Sequence, residues 1–464
     1  MCAKTAQQVK SRRPGRRTSA REAALRILHQ VETKDAFVNP LLHDRLARGD
    51  LPTADRALVT TLVDGTTRWR RRLDHALAQF CRYALERIPP WIRCLLRMGA
   101  YQLMFLDRMP ARAVCDESVT LARRFGHRGT AALTNAVLRA LSRSLHDIHW
   151  PDPEDDPVHH IGVCHSHPDW MVRRWLDSFG FDETVALCRA NNEPSPLCLR
   201  ANLRWIDREP LGRHLAEAGT STNPCRLAPM GLVVKGPFDW ERSSLYQQGL
   251  FTVQGEASML VAQALAPAPA WRVVDLCAGV GGKTTHLAEL MDDRGRILAC
   301  DYYSWKIDAL KRHCRRLELS SVETRVCDAR SLPATRDFDA CLLDAPCSGT
   351  GVLARRPDSR WRRTVSQLEA LVRLQRELLE TGWGLLRPGG LVLYSACSIE
   401  PEETGDLIAG FLHDHPDASL EDLRPMLQSV PADAFTEDDA VMLLPHRHRT
   451  DGMFIARLRR QASP

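Results

Sequence analysis

The chain has 464 residues, 44% hydrophobic and 26% charged, with a formal net charge of +6. That length exceeds one ordinary core and implies several domains of soluble, globular type. No run approaches the roughly 18 apolar residues of a membrane helix, and the N-terminus lacks a signal peptide's apolar core, so a cytoplasmic protein is expected.

The first seventeen residues carry Lys4, Lys10, Arg12, Arg13, Arg16 and Arg17 and no acid. Residues 1–18 therefore read as a basic, disordered arm able to neutralise phosphates or to act as a solubilising tail. From 19 to 148 the pattern is helical. Ser19-Ala-Arg-Glu22 is a capping-box signature opening an amphipathic run from Ala23 to Val31. Arg56 to Leu77, Trp91 to Phe105, Ala113 to Phe125 and Thr130 to Leu145 repeat apolar residues at three- and four-residue spacing, which predicts a compact all-α bundle.

Residues 149–165 read as a linker, because Trp150 to Pro157 holds three prolines and four acids. His159, His160, Cys164, His165 and His167 are metal-ligand types. Their neighbours are Pro- and Asp-rich and no second ligand half follows, so no metal is expected. Fifteen cysteines at irregular spacing, without Cys-x-x-Cys, argue against a disulfide framework and a zinc ribbon. Residues 166–250 read as a small α/β segment, with helices at Pro168 to Phe179 and Asp182 to Asn191 and strand-like pieces at Leu197 to Asn202 and Leu232 to Lys235.

From 251 to 464 short β-rich runs alternate with helical ones. The expected strands are Val273 to Cys277, Ile297 to Asp301, Glu323 to Asp328, Ala340 to Ala345 and Leu391 to Ser398. Helices are expected to start near Lys283, Ser304, Ser366 and Glu402. Such alternation predicts a doubly wound parallel sheet, with ligands at the carboxyl ends of its strands. Asp275-Leu-Cys277-Ala278-Gly279-Val280-Gly281-Gly282-Lys283 is a strand end, a glycine turn and a helix start. By itself this serves a dinucleotide, a phosphate or S-adenosylmethionine. A triphosphate loop would need glycine at position 277, which is Cys277. The next strand ends at Asp301, where a carboxylate can accept ribose hydroxyls, and the third at Asp328, placed for an adenine amino group.

The fourth strand runs into Asp344-Ala-Pro-Cys347-Ser-Gly-Thr-Gly351, and the fifth into Tyr394-Ser-Ala-Cys397-Ser-Ile-Glu-Pro401-Glu-Glu403. Two cysteines and an acid at neighbouring strand ends suit methylation of cytosine carbon 5. That carbon is a poor nucleophile until a thiolate adds at carbon 6 and an acid near ring nitrogen 3 stabilises the developing charge.

These motifs resemble those of the RNA cytosine-5 methyltransferases, especially the bacterial RsmB/Sun family acting on 16S ribosomal RNA. Arg355-Arg-Pro357-Asp358-Ser-Arg-Trp361, Tyr394 to Thr404 and Asp451-Gly452-Met-Phe454-Ile-Ala carry the likeness onward. Leu96-Arg-Met-Gly99-Ala-Tyr101-Gln-Leu and Asn135-Ala-Val-Leu-Arg139 resemble a NusB-type RNA-binding bundle. Ser166-His-Pro168 and Arg189-Ala-Asn191-Asn192 match the family's small RNA-binding subdomain. The resemblance implies a NusB-like bundle, a small α/β subdomain and a Rossmann-like methyltransferase domain. It implies Cys397 as nucleophile, Cys347 in product release and Asp344 on the target base. Cys277 to Lys283, Asp301, Asp328 and Asp344 would hold S-adenosyl-L-methionine. The implied partner is 16S rRNA, naked or in an early small-subunit intermediate, with no membrane and a monomeric enzyme. Departures from the family pattern are Gly279-Val280 in the glycine turn, Ala396 before Cys397, Gly255 within Gln254-Gly-Glu256, and Thr404. Alternative readings are a transfer-RNA cytosine-5 methyltransferase and a non-catalytic ribosome-assembly factor on the same scaffold.

Overall fold

A computed structural model describes residues 18–34 and 36–461; the basic arm lies outside them, apart from Thr18. The chain divides into two compact units, residues 1–167 and 168–464.

The first unit is helical throughout its described residues, with helices Ala20–Thr33, Val38–Ala47, Thr53–Arg68, Arg70–Ala78, Pro90–Phe105, Ala111–Phe125, Arg128–Arg143 and Pro157–Cys164. Its core collects the periodic apolar positions, including Leu25, Leu62, Leu73, Leu95 and Leu138. Half of the expected capping box forms. Ser19 Oγ accepts from the Glu22 backbone N–H at 3.2 Å, but the Glu22 carboxylate turns to Arg26 and Arg124 instead. The expected Arg56 to Leu77 run is broken at Trp69, whose ring stacks on Phe105 with centroids 4.7 Å apart. Val38–Ala47, which contains Pro40, is a helix that periodicity did not signal.

The linker expectation for 149–165 is corrected over its second half. Asp156 accepts from His159 N at 2.9 Å and caps the helix Pro157–Cys164. Arg72 then donates to Cys164 O at 2.7 Å, and Arg71 to His167 O at 2.7 Å, tying this helix to Arg70–Ala78. The histidines serve local structure: His160 Nδ1 lies 2.6 Å from Pro151 O and His167 Nδ1 2.8 Å from His165 O.

The second unit opens with Asp169–Ala190, in which Gly180 (φ 74°) breaks the helical path between the two expected helices. Strands β1 (Cys198–Ala201), β2 (Thr222–Pro224), β3 (Gly231–Val234) and β4 (Phe251–Val253) form an antiparallel sheet in the order β2-β3-β1-β4. Phe251–Val253, which the sequence puts at the head of the 251–464 segment, is instead the edge strand of this small sheet.

The large sheet contains β5 (Arg272–Asp275), β6 (Arg296–Asp301), β7 (Val322–Val326), β8 (Phe338–Asp344), β9 (Leu386–Ala396), β10 (Ala418–Leu420), β11 (Val441–Leu443) and β12 (Met453–Arg460). Its order is β10-β12-β9-β8-β5-β6-β7, with β11 on β12. Strands β9, β8, β5, β6 and β7 are parallel, and β12 is antiparallel to β9. Both faces are covered. Val273, Ile297, Ala340 and Leu391 enter one core, and Val274, Leu298, Cys341 and Val392 the other. Burial on both faces is why these strands read as continuous apolar runs. The chain moves outward from β5 to β6 and β7, then returns to β8 on the other flank of β5. The crevice between β5 and β8 is therefore a topological switch point.

Candidate active site

Three strand ends bordering the switch point deliver the site. β5 ends at Asp275, β8 at Asp344, and β9 at Ala396, one residue before Cys397. Asp344 is in register with Ser395, and Ser395 Oγ donates to its Oδ1 at 3.0 Å. The helix Gly282–Leu290 places Lys283 in its first turn, and Lys283 Nζ donates to Asp344 Oδ2 at 2.7 Å. Burial works against the Lys283 ammonium, but Asp344 and Cys397 outweigh it and raise its pKa.

Cys347 and Cys397 are both half-buried, with sulfurs 3.2 Å apart. The hydrogen bond from Cys347 lowers the Cys397 pKa against the opposition of burial and Asp344, with Arg356 and Lys283 adding to the fall. The same bond raises the Cys347 pKa, and burial, the Cys397 charge, Glu403 and Asp344 push it further up. Arg356 and Lys283 thus favour a thiolate at Cys397, Asp344 opposes one at either sulfur, and Glu403 opposes one at Cys347.

A layer that the motifs contain but sequence reasoning gave no role holds the two cysteine loops together. Buried Glu403 accepts from Ser348 N at 2.8 Å, from Gln375 Nε2 at 2.9 Å and from the Ser348 hydroxyl. Arg363 donates to Ser348 O at 2.9 Å and to Cys347 O at 3.3 Å. Gly351 N donates to Cys397 O at 3.1 Å, and Gly452 N to Gly351 O at 2.7 Å. Beneath Cys397, Arg174 and the Trp175 indole N–H bind Glu400 at 2.7 and 3.1 Å.

The glycine turn lies on the other side of the crevice. Ala278 is buried and its N–H donates to Cys300 O at 2.8 Å. Gly279 (φ 58°) donates from its N–H to Asp301 Oδ2 at 3.0 Å, and Val280 is exposed. Gly281 (φ 94°) has no room for a side chain, since a Cβ would sit 2.2 Å from Leu310 Cδ1. Asp301 also accepts from Tyr303 N at 2.9 Å and Lys306 Nζ at 3.2 Å. Buried Asp275 accepts from Thr284 Oγ1 at 2.7 Å; burial pushes its pKa up to about 7. Cys277 is half-buried, and burial, then Asp275, push its thiol well up. Asp328 accepts from the Arg330 guanidinium at 2.6 Å and from its backbone N–H at 3.1 Å. Buried Arg200, on β1, was not expected. It donates to Gly282 O at 2.7 Å and pairs with Glu289 at 2.7 Å, tying the small sheet to the helix that carries Lys283.

The departures have structural places. Ala396 packs in the core as the last residue of β9. Thr404 Oγ1 donates to Glu400 O at 2.9 Å. A Cβ at Gly255 would lie 2.8 Å from Asp451 Oδ2.

The family model described as 16S rRNA methyltransferase RsmB/F matches residues 262–459. The NusB family matches residues 18–143, and the RsmF/B-like ferredoxin-like domain residues 167–241. Ribosomal RNA small subunit methyltransferase B of Pseudomonas putida is 36% identical over 87% of this chain and 91% of its own length. The protein of the same name from Pasteurella multocida is 31% identical over 96% of this chain and 97% of its own. Among solved structures, that of PH0851 covers 95% of this chain and 98% of its own, with TM-score 0.81 and 28% identity.

Fold and site together define a Rossmann-like RNA methyltransferase carrying a NusB-like helical domain and a ferredoxin-like domain. The chain belongs to the RsmB/F family of 16S rRNA methyltransferases.

Proposed function

We propose that this protein transfers a methyl group from S-adenosylmethionine to carbon 5 of a cytosine in 16S ribosomal RNA, with Cys397 as nucleophile. The observation that carries the reading is the 3.2 Å pair of Cys347 and Cys397 sulfurs beside the Lys283–Asp344 ion pair.

The cofactor fits the glycine turn. A Cβ at Gly282 would meet nothing within 4 Å, and at Gly279 its nearest neighbour would be Cys277 O at 4.0 Å, so open space lies against this backbone. Residues 277–283 and the Asp301 carboxylate would hold the nucleoside, and Asp344 would border the methyl-transfer site. When bound, S-adenosylmethionine supplies an electrophilic methyl group.

The residues of the chain do the rest. The Cys397 thiolate adds to carbon 6, forming a C–S bond and making carbon 5 an enamine carbon that can attack the methyl group. Asp344, fixed by Lys283 and Ser395, accepts from the cytosine amino group and from nitrogen 3 once that nitrogen takes a proton from solvent, which neutralises the charge that thiolate addition places on the ring. After transfer, solvent water takes the carbon-5 proton, the electrons of that C–H bond restore the ring double bond, and the C–S bond breaks. Its electron pair returns to Cys397, a better leaving group while Cys347 donates a hydrogen bond to it. One contact therefore serves both ends of the reaction.

The test combines radiolabelled methyl transfer to 16S and transfer-RNA transcripts with bisulfite mapping of the product. Wild type should methylate one cytosine in the 16S transcript. Cys397→Ala should abolish transfer, whereas Cys347→Ala should accumulate a covalent RNA adduct that migrates slowly in a denaturing gel. Turnover by Cys397→Ala would overturn the assignment, and preferential methylation of transfer RNA would change the substrate.

A further inference from the structure

The helix Ser304–Arg316 follows the Asp301 strand and has two distinct faces. Ile307, Leu310 and Cys314 are buried, with Leu310 against Gly281 of the glycine turn. Trp305, Asp308, Arg312 and Arg315 recur at three- and four-residue spacing on the opposite, exposed face, with exposed Lys311 beside them. Tyr302, Tyr303 and Trp305 are 68%, 52% and 61% exposed, so three aromatic rings stand in solvent at the helix start. Lys306 lies 4.9 Å from the Tyr303 ring centroid.

The far end of the helix carries another exposed ring. Arg204 donates to Leu317 O at 3.4 Å and Glu318 O at 3.3 Å, and its guanidinium stands 5.3 Å from the Trp205 ring centroid. Trp205 and Leu203 are themselves exposed. Aromatic groups thus bracket a basic helix face over about 18 Å, roughly five nucleotides at ~3.4 Å each. Lys311, Arg312 and Arg315 make no ion pair among the described residues, and the exposed acids along this stretch are Asp308 and, at its far end, Glu318. Solvent-facing rings are costly for a free surface. Beside unpaired cations they form the stacking-and-phosphate arrangement that single-stranded nucleic acid requires.

We infer that this face is a track for a single-stranded segment of RNA flanking the target nucleotide, with bases stacking on Trp305 and Trp205 and phosphates meeting Lys311, Arg312 and Arg315. The inference rests on the proposed RNA substrate and adds where the strand runs.

The experiment measures binding of the full-length protein to a fluorescent single-stranded RNA and to the same sequence as a duplex, over a range of salt. Methyl transfer to a 16S transcript is followed in parallel. Trp205→Ala with Trp305→Ala should weaken single-strand binding roughly tenfold and leave the duplex unchanged. Trp305→Phe should retain binding, which separates lost stacking from misfolding. Arg312→Glu with Arg315→Glu should flatten the salt dependence by about 1.4 in logarithmic slope. Unchanged single-strand affinity in both double variants, with wild type active, overturns the track alone and would leave the face to a protein partner. Weakened binding in the variants of a wild type that methylates no RNA supports the track and overturns the proposed function.

Discussion

Lys283 sits in the glycine turn but points its charge across the crevice at Asp344, 2.7 Å away, and acts on Cys397 at the same time. In the proposed reaction it would serve both the cofactor loop and the electrostatics of the thiolate. Lys283→Met should slow methyl transfer by about 100-fold or more, because a charge-assisted contact in a water-poor site is lost. The rising limb of the pH–rate profile should move to higher pH, since the missing cation no longer favours the Cys397 thiolate. Single-turnover rates at several pH values check both outcomes, and an unmoved limb would restrict Lys283 to holding the loop. Asp344, Cys347 and Cys397 stand out in the sequence because Asp344 ends a strand and the two cysteines follow strands in distinctive loops. The Lys283–Asp344 pair and the Glu403 bracket were not. Their partners are 61 and 55 residues apart in sequence, and only strand order brings them together.

At the level of elements, two loops meet backbone to backbone behind the cysteines. A Cβ on Gly351 would lie 2.3 Å from Gly452 O and 2.7 Å from Gly452 C. Backbone cannot swing aside as a long side chain can. Gly351→Ala should cost about 1–3 kcal/mol of stability, and it should lower methyl transfer by displacing the loop between Cys347 and Cys397 O. Denaturant unfolding and activity measured on the same preparation check this; wild-type activity would mean that the loops yield without moving the sulfurs. The glycines at 351 and 452 were visible as motif members, but their mutual contact was not. Helix and strand positions were largely legible, because periodic and continuous apolar runs follow burial directly. The exceptions have local causes: Trp69 stacking on Phe105, Asp156 capping a turn in a Pro-rich stretch, and short β4 pairing with a strand fifty residues earlier.

On the scale of the molecule, stability depends on the charge state of the buried crevice. The Asp275 pKa is raised to about 7 by burial, above its ordinary value of 3.8. A carboxyl raised on folding stabilises the fold while protonated. Its contribution is complete below about pH 4 and is lost as pH rises through about 7, worth at most about 4 kcal/mol. Asp275→Asn keeps an acceptor for Cys277 N and a partner for Thr284 without titrating. Wild type should therefore lose stability relative to this variant between pH 4 and 7, as read from unfolding midpoints. Parallel curves would show that Asp275 is already ionised in the folded protein.

Sequence alone determined the helical bundle, the alternating β and α of the C-terminal segment and the chemistry-bearing loops, because each depends on neighbours within a few turns of chain. Tertiary structure decided which groups touch: the two sulfurs, the Lys283–Asp344 pair, Arg200 beneath the glycine turn, and the solvent-facing rings of Tyr302, Trp305 and Trp205. Those contacts depend on strand order and on loops closing over long separations, and no local pattern of residues encodes the distance between two strand ends.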